Sequence, residues 1–337
     1  MSSRITRPEL TFERLSDLVT VSPQMRRMFE LVRRAARSDA TVLVRGESGT
    51  GKELVAQALH AESPRSAQPF RAVNCATFTS SLLASELFGH VKGAFTGAVA
   101  DRKGLLSQAH TGTLFLDEIA ELPLDLQARL LRVLQQQRFT PVGATQEIEV
   151  DVRIISATNA ALRQLVREGR FREDLMYRIR VVMLYLPPLV ERDGDLEALT
   201  WHLIDELNER HPRKIHAIDR VAWEMMEDYL WPGNIRELRN NLEQAFVLGE
   251  GPVLLPDELA PEVRGLGVAS FSRLAHNQPD TEPFAPNDSA LTLDDVRRAE
   301  LLEAFRRTNG HRGKMAEELG ISRATLYRWL KKQGLLG

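Results

Sequence analysis

The 337-residue sequence predicts an α/β fold: a mostly parallel sheet covered on both sides by helices, then a helices-only segment, then a small all-α module. Short apolar runs recur at ATVLVRG (40–46), PFRAV (69–73), GTLFL (112–116), VRIISAT (152–158) and VVMLYLP (181–187), each followed by Gly or polar residues. Amphipathic patterns alternate with them. In PLDLQARLLRVLQQQ, Pro123 is expected at the first helical position, with Leu126, Leu130, Val133 and Leu134 on one face. Beyond LPPLVERDGD the strand signals stop, and residues 193 to about 260 read as helices broken at WPGN (231–234). Residues 263–290, rich in Gly, Ser, Pro and Asn without periodicity, read as a linker.

Bulk properties narrow the function classes. Hydrophobic content of 43% and charged content of 27% are those of a globular protein, and no stretch approaches a membrane span or a signal core. One cysteine, Cys75, excludes an internal disulfide framework and suits a reducing cytosol. The absence of CxxC and of His pairs at ligand spacing argues against structural zinc. The net charge is −2, but Leu291 to Gly337 carries ten Lys and Arg against six Asp and Glu. A basic tail on an acidic body points to the C-terminus for any nucleic acid.

GESGTGKE, Gly46-Glu47-Ser48-Gly49-Thr50-Gly51-Lys52-Glu53, fits Gly-x-x-x-x-Gly-Lys between a strand and a helix. Its glycines let backbone N–H groups converge on phosphate oxygens, and Lys52 is placed for the β- and γ-phosphates of ATP. Glu53 stands where a magnesium-ligating Ser or Thr is usual. LFLDE (114–118) is an apolar strand ending in two acids: Asp117 is expected to hold Mg²⁺ through water, and Glu118 to polarise an attacking water. The next strand ends in Thr158-Asn159, beside the same crevice. Arg172 and Arg178 lie six apart on a predicted helix; a solvated face is the plain reading, and transition-state fingers supplied to a neighbouring subunit the sharper one.

GAFTGA (Gly93, Ala94, Phe95, Thr96, Gly97, Ala98) is harder to read. It places a Phe-Thr pair between glycines on a charge-flanked segment, where a turn with Phe95 packed back is the plain alternative. In GHRGKMAEELGISRATLYRWLKKQGLL (310–336), Ala316 permits close helix approach, Gly320 the turn, and Ser322 a cap. Leu319, Ile321, Leu326 and Trp329 fall at core spacing. Arg323, Thr325 and Arg328 then face outward toward base edges, and Lys331 and Lys332 suit phosphates. A bundle that only dimerises is the alternative, and the helix ahead of it (292–310) is a plausible dimer contact.

Together GESGTGKE, VNCA, ELFGHVKGAFTGA, GTLFLDE, RFREDLMYRI and WPGNIRELRN occur in the order and spacing of bacterial enhancer-binding proteins, the AAA+ ATPases that activate sigma-54 RNA polymerase. The resemblance runs from about Leu18 to Glu262, and the tail resembles a Fis-like DNA-binding domain. It implies a P-loop ATPase with a helical lid, divided as a short arm (1–17), an α/β subdomain (18–190) bearing the loop at 93–98, a lid (191–262), the linker and the helix-turn-helix (291–337). It makes Glu53 ordinary. It implies that Asn74 pairs with Glu118 as a nucleotide switch, that Thr158 and Asn159 are sensor I and Arg236 sensor II, and that Arg172 and Arg178 act across a hexameric ring. Partners would be sigma-54 holoenzyme, contacted by residues 93–98, and enhancer DNA. Exposing Phe95 forgoes about 1.5–3 kcal/mol of burial, a loss that binding sigma-54 would offset. Thr20-Val21 and Val190 depart from the family pattern.

Two other functions compete: an ATP- and DNA-binding regulator of ordinary promoters, opposed by the intact loop, and a AAA+ protein remodeller, opposed by the helix-turn-helix. Only about 17 residues precede the resemblance, which leads to the expectation of no sensory domain in cis and of control by abundance or by a separate protein acting in trans.

Overall fold

The computed structural model describes residues 4–9, 11–265, 293–308, 312–333 and 335; residues 266–290 of the expected linker lie outside them. The chain divides into two compact units, Phe12–Pro188 and Met1–Thr11 with Leu189–Gly337.

The first unit is built on five parallel strands: β1 (Val42–Gly46), β2 (Phe70–Asn74), β3 (Thr113–Asp117), β4 (Arg153–Thr158) and β5 (Val182–Leu186), in spatial order β5-β1-β4-β3-β2. Val42, Leu43 and Val44 are buried in succession, as are Leu114, Phe115 and Leu116, because both faces of the sheet are covered. On one face, Val42, Val44 and Ile155 pack with Phe29 and Val32 of α1 (Pro23–Ala36) and with Val55 and Leu59 of α2 (Lys52–Ala61). On the other, Leu43, Leu114 and Ile154 meet α3 (Ser80–Phe88), α4 (Leu124–Gln136), α5 (Leu162–Arg167) and α6 (Glu173–Ile179). Pro123 is not the first helical residue but the cap before it, extended at ψ 147°, and its carbonyl accepts from Gln127 N at 2.8 Å. Leu131, rather than Leu134, joins the buried face of α4. Arg153 is buried in the sheet, and its guanidinium donates to the carbonyls of Ala35 (2.9 Å), Ala36 (3.1 Å) and Leu59 (3.4 Å). One cation thus satisfies orphan carbonyls at the C-terminal ends of two helices.

The second unit contains α7 (Asp195–Arg210), α8 (Arg220–Asp228) and α9 (Asn234–Leu248), and it corrects the helices-only reading of 193–260. Ala217–Asp219 pairs antiparallel with Arg4–Thr6 and parallel with Val253–Leu254, forming a small three-stranded sheet. The expected arm (1–17) is thus divided: residues 4–9 join this unit, with Ile5 opposite Ile218 and Arg7 paired to Asp205 at 2.9 Å, whereas residues 12–17 belong to the first, where Glu13–Leu15 pairs with Leu18–Thr20. In the WPGN turn Trp231 (φ 51°) and Asn234 (φ 52°) both adopt left-handed backbone. Burial of the Trp231 ring, a hydrogen bond from its Nε1 to Met226 O (2.9 Å), and acceptance by Asn234 Oδ1 from Leu189 N (2.7 Å) hold that strain.

The tail forms α10 (Leu293–Arg307), α11 (Arg312–Glu318) and α12 (Arg323–Lys332). Gly320 turns at φ 64°, and Ser322 Oγ caps α12 by accepting from Thr325 N. Its core is Leu301, Phe305, Met315, Leu326, Tyr327 and Leu330; Leu319, Ile321 and Trp329 are only half-buried, so α12 is rotated from the face its spacing suggested.

Candidate functional site

Parallel strands bring their carboxyl ends to one side of the sheet, where crossover loops gather polar groups. Register does the same here: Asn74 lies opposite Asp117, and Thr158 opposite Arg45, one residue before the Gly-rich turn. In that turn Gly49 and Gly51 adopt φ of 76° and 99°. A Cβ on Gly46 would come within 2.9 Å of Thr50 Oγ1 and 3.0 Å of Leu186, so the tight entry requires glycine. Thr50 is buried and donates its hydroxyl to Glu47 O at 2.8 Å, which holds the loop. Ser48 and Glu53 are exposed. Lys52, first residue of α2 and 7% exposed, donates Nζ to the carbonyls of Gly46 and Glu47, each at 3.2 Å.

The same ammonium lies 3.5 Å from Glu118 Oε1. Glu118 leaves β3 at φ 48°, a left-handed conformation uncommon for a non-glycine residue, and its amide donates to Asp117 Oδ1 at 3.0 Å. The expected Asn74–Glu118 pair does not form. Asn74 Nδ2 instead donates to Asp117 Oδ2 at 3.3 Å, and Asn74 Oδ1 accepts from Ala76 N at 2.9 Å. The cross-strand register accounts for this, because it places Asn74 against Asp117 while Glu118 turns toward Lys52. Thr158 is fully buried with its Oγ1 accepting from Ala160 N (3.0 Å), and Asn159 beside it is exposed. Cys75, between Asn74 and α3, has its thiol pushed up to about 12 by burial and the nearby acids, which leaves it un-ionised.

Arg172 is the cap residue of α6, one position outside the expected helix, and Arg178 is within it; both are exposed. Each has a partner in its own chain. Arg172 makes a fork to Asp174 (3.1 and 2.8 Å), holding that carboxyl below its ordinary range, and Arg178 donates to Leu134 O at 2.9 Å. Arg236 is exposed on α9, in the second unit.

The GAFTGA segment is a compact turn with Gly93 at φ 81° and Gly97 at φ 103°, closed by Gly93 N to Ala98 O (2.8 Å) and Ala98 N to Phe95 O (3.0 Å). Phe95 is neither packed in a core nor fully extended. Its ring meets His90 edge-on at 5.0 Å while remaining 41% exposed, and Thr96 is exposed. At the base, Gly89–His90 pairs with Arg102–Lys103. A Cβ on Gly104 would lie 2.3 Å from Gly89 N, so the two arms approach backbone to backbone. Asp101 steadies the neck by accepting from Lys92 N at 2.7 Å. The pair Gly89 and Gly104 was visible in sequence only as two glycines fifteen apart.

On α12, Arg323, Arg328, Lys331 and Lys332 are exposed, whereas Thr325 is half-buried with its amide on the Ser322 cap, a correction to its outward assignment. Two of these side chains have partners in the lid: Arg323 Nη1 donates to Glu227 O at 2.5 Å, and Arg328 Nε lies 3.5 Å from Glu191 Oε1. Asp228 adds a carboxylate that accepts from the amides of Arg312 (3.1 Å) and Gly313.

Comparison with known proteins agrees with this arrangement. Residues 18–185 match the sigma-54 interaction domain, 190–272 the AAA+ ATPase lid domain, and 292–332 the bacterial regulatory protein, Fis family. The regulatory protein AtoC of Escherichia coli (strain K12) is 43% identical over 94% of this chain and 68% of its own length. The DNA-binding transcriptional regulator NtrC of the same strain is 41% identical over 95% of this chain and 71% of NtrC. The crystal structure of NtrX from Brucella abortus in complex with ATP superposes with a TM-score of 0.68 at 36% identity, covering 94% of this chain and 70% of NtrX. No helix among the described residues is long and apolar enough to cross a membrane. With a Gly-rich loop, paired acids and a GAFTGA turn in one α/β unit, followed along the chain by a Fis-type helix-turn-helix, the chain belongs to the sigma-54-dependent transcriptional activators, with an AAA+ ATPase as its engine.

Proposed function

We propose that the carboxyl edge of the sheet binds Mg²⁺-ATP and that its hydrolysis drives the 93–98 loop against sigma-54, opening promoter complexes that start closed. The observation that carries this reading is the approach of Lys52 Nζ to Glu118 at 3.5 Å beside the glycine turn. It brings a phosphate-binding cation and a water-polarising carboxylate into direct contact at the carboxyl edge of the sheet. Residues 46–53 supply backbone donors and the Lys52 charge, whose present acceptors are two carbonyls and Glu118. Asp117 offers a half-exposed carboxylate suited to a hydrated Mg²⁺, a hard cation that keeps much of its water. When bound, the cation would neutralise phosphate charge; Glu118 would orient and deprotonate the water.

Asn74 then reports on the site through Asp117 rather than through Glu118, with Thr158-Asn159 on the adjacent strand end and Arg236 from the lid as sensors. Arg172 and Arg178, exposed and held by weak local partners, serve a neighbouring copy in a ring, hexameric by family resemblance. Enhancer DNA is read by α12 through Arg323 and Arg328, with Lys331 and Lys332 on phosphates, and a separate protein acts on the ATPase surface in trans. The chain is read as an α/β subdomain (18–190), a lid (191–262) and a DNA-binding domain (291–337).

The test is open-complex formation by purified chain with sigma-54 holoenzyme on a supercoiled promoter. Thr96→Ala is expected to keep ATP turnover and to lose both sigma-54 binding and open complexes. Retention of full activation by Thr96→Ala, together with Phe95→Ala, would remove the loop from the mechanism.

A further inference from the structure

On the sheet face opposite α2, a basin of about 330 Å³ opens beside the exposed side of β1 and β5. Strand alternation puts Leu43, Arg45 and Met183 on this face, while Val42 and Val44 point to α1 and α2. Four arginines converge on it: Arg45 from β1, Arg163 and Arg167 one turn apart on α5, and Arg180 from the loop entering β5. No Asp or Glu is among its lining residues. Arg45, Arg163 and Arg167 are exposed and pair with no carboxylate among the described residues. Among the described residues Arg180 is held by neutral sulfurs, Nε at 3.1 Å from Met183 Sδ and Nη1 at 3.6 Å from Met176 Sδ, and by no carboxylate. Elsewhere on this unit several exposed arginines find acids at close range, as Arg102 does with Glu86 (2.6 Å) and Arg172 with Asp174 (2.8 Å). Four like charges around one concavity repel one another, and that arrangement is reasonable where an anion is to be received.

We propose that this basin binds a small oligophosphate, as a second anion site separate from the phosphate loop. Planar guanidinium forks match phosphate oxygens in pairs, and four of them around a space of this size suit three or more phosphoryl groups better than a single one. Leu43, Leu162 and Met183 give the basin an apolar floor that can accommodate an attached organic group. None of residues 46–53, 117 or 118 lines the basin; of the residues read for the ATPase site only Thr158 does, and the proposal rests on the arginines instead.

The test uses inorganic tripolyphosphate as the probe, titrated calorimetrically into full-length chain carrying Lys52→Ala, in chelator, so that the phosphate loop is silenced. About one tripolyphosphate per chain is expected to bind. Adding Arg163→Gln and Arg167→Gln, exposed helix positions where Gln sustains the helix, is expected to weaken it by about tenfold or more, with a shallower salt dependence. Arg27→Gln with Arg34→Gln, an equal loss of charge on exposed α1 positions, is expected to leave it unchanged. No binding in the Lys52→Ala chain, or equal losses in the two double variants, would overturn the site. So would a result in which tripolyphosphate does not bind and duplex DNA affinity alone falls in the Arg163/Arg167 variant, which would make the basin a nucleic-acid contact.

Discussion

If α12 reads DNA as proposed, the lid and the DNA compete for the same arginines, and one substitution separates them. Asp228, at the end of α8, accepts from two backbone amides at the start of α11, while Arg323 and Arg328 of α12 reach Glu227 O and Glu191. Hydrogen bonds to a charged group contribute about 1.5–3 kcal/mol each, and part exposure discounts them, so Asp228→Ala is expected to cost the docked arrangement about 2–3 kcal/mol. The Arg328–Glu191 pair, with the arginine side chain 64% exposed, adds little. A domain that must leave the lid before reading DNA binds with an affinity reduced by the docked fraction. Weakening docking by this amount can therefore tighten specific DNA binding by at most about 30- to 100-fold, at about 1.4 kcal/mol per decade.

The assay is fluorescence anisotropy with a labelled duplex carrying the protein's own site, at fixed salt because phosphate contacts are salt-dependent. Glu224→Ala, which removes one negative charge from an exposed position on the same helix, controls for long-range electrostatics. Arg323→Ala loses both partners and is expected to weaken specific binding. If Asp228→Ala binds no more tightly than Glu224→Ala, the lid does not compete with DNA.

Three further outcomes are expected. Glu118→Gln should keep nucleotide affinity within a few-fold and lower turnover by about 100-fold or more, whereas Lys52→Ala should lose tight ATP binding; near-normal turnover in Glu118→Gln, measured by phosphate release, would take the base role from that residue. Gly104→Ala must move two backbones apart by about an ångström, at about 1–3 kcal/mol, and should weaken sigma-54 binding while sparing basal ATPase; unaltered binding would show that the loop does not depend on its narrow base. His60, buried beside Thr113 with a 2.9 Å contact, has its pKa lowered below the ordinary 6.5 by desolvation, so the unfolded chain takes up the proton first and stability falls as pH drops below about 6.5. The thermal midpoint should decline between pH 7.5 and 5.5 by less in His60→Phe than in wild type, and an equal decline would assign the pH dependence to other groups.

The parts legible in the sequence are those whose chemistry lies in adjacent residues. A glycine turn before a lysine, two acids after an apolar strand and a Phe-Thr pair between glycines each need only a few neighbours, so order along the chain displays them. Strand alternation with helices likewise shows through short runs such as Val42–Val44. What stayed hidden depends on register or on distant segments. Strands of two or three residues, such as Ala217–Asp219 and Val253–Leu254, carry too few positions to show alternation, and the pairing of Ile5 with Ile218 has no local signal. Asn74 was expected on Glu118, but only register tells that its strand neighbour is Asp117. The four arginines of the basin come from three separate places in the chain and read individually as solvated charges.

Register also explains how the two legible motifs are joined. β2 ends at Asn74 against Asp117, and the next residue, Cys75, donates its amide to Asp117 O at 3.0 Å. The chain then runs through α3, whose Leu83 and Leu87 are buried, and α3 ends at Phe88, one residue before the Gly89 that pairs with Lys103 under the GAFTGA turn. Fifteen positions thus separate Asn74, hydrogen-bonded to the acid proposed to hold Mg²⁺, from Gly89 at the base of the loop proposed to grip sigma-54, and most of that length is one packed helix. A helix fixed at both ends transmits displacement rather than absorbing it, so a shift at Asp117 that moves Asn74 has to be taken up either by the sheet or at Gly89. The sheet is close-packed on both faces, whereas the Gly89–Gly104 neck is a two-residue ladder with a backbone bridge from His90 to Val142. The neck is the less packed of the two ends, so on the proposed mechanism motion generated at the nucleotide would be delivered there, to Phe95 and Thr96.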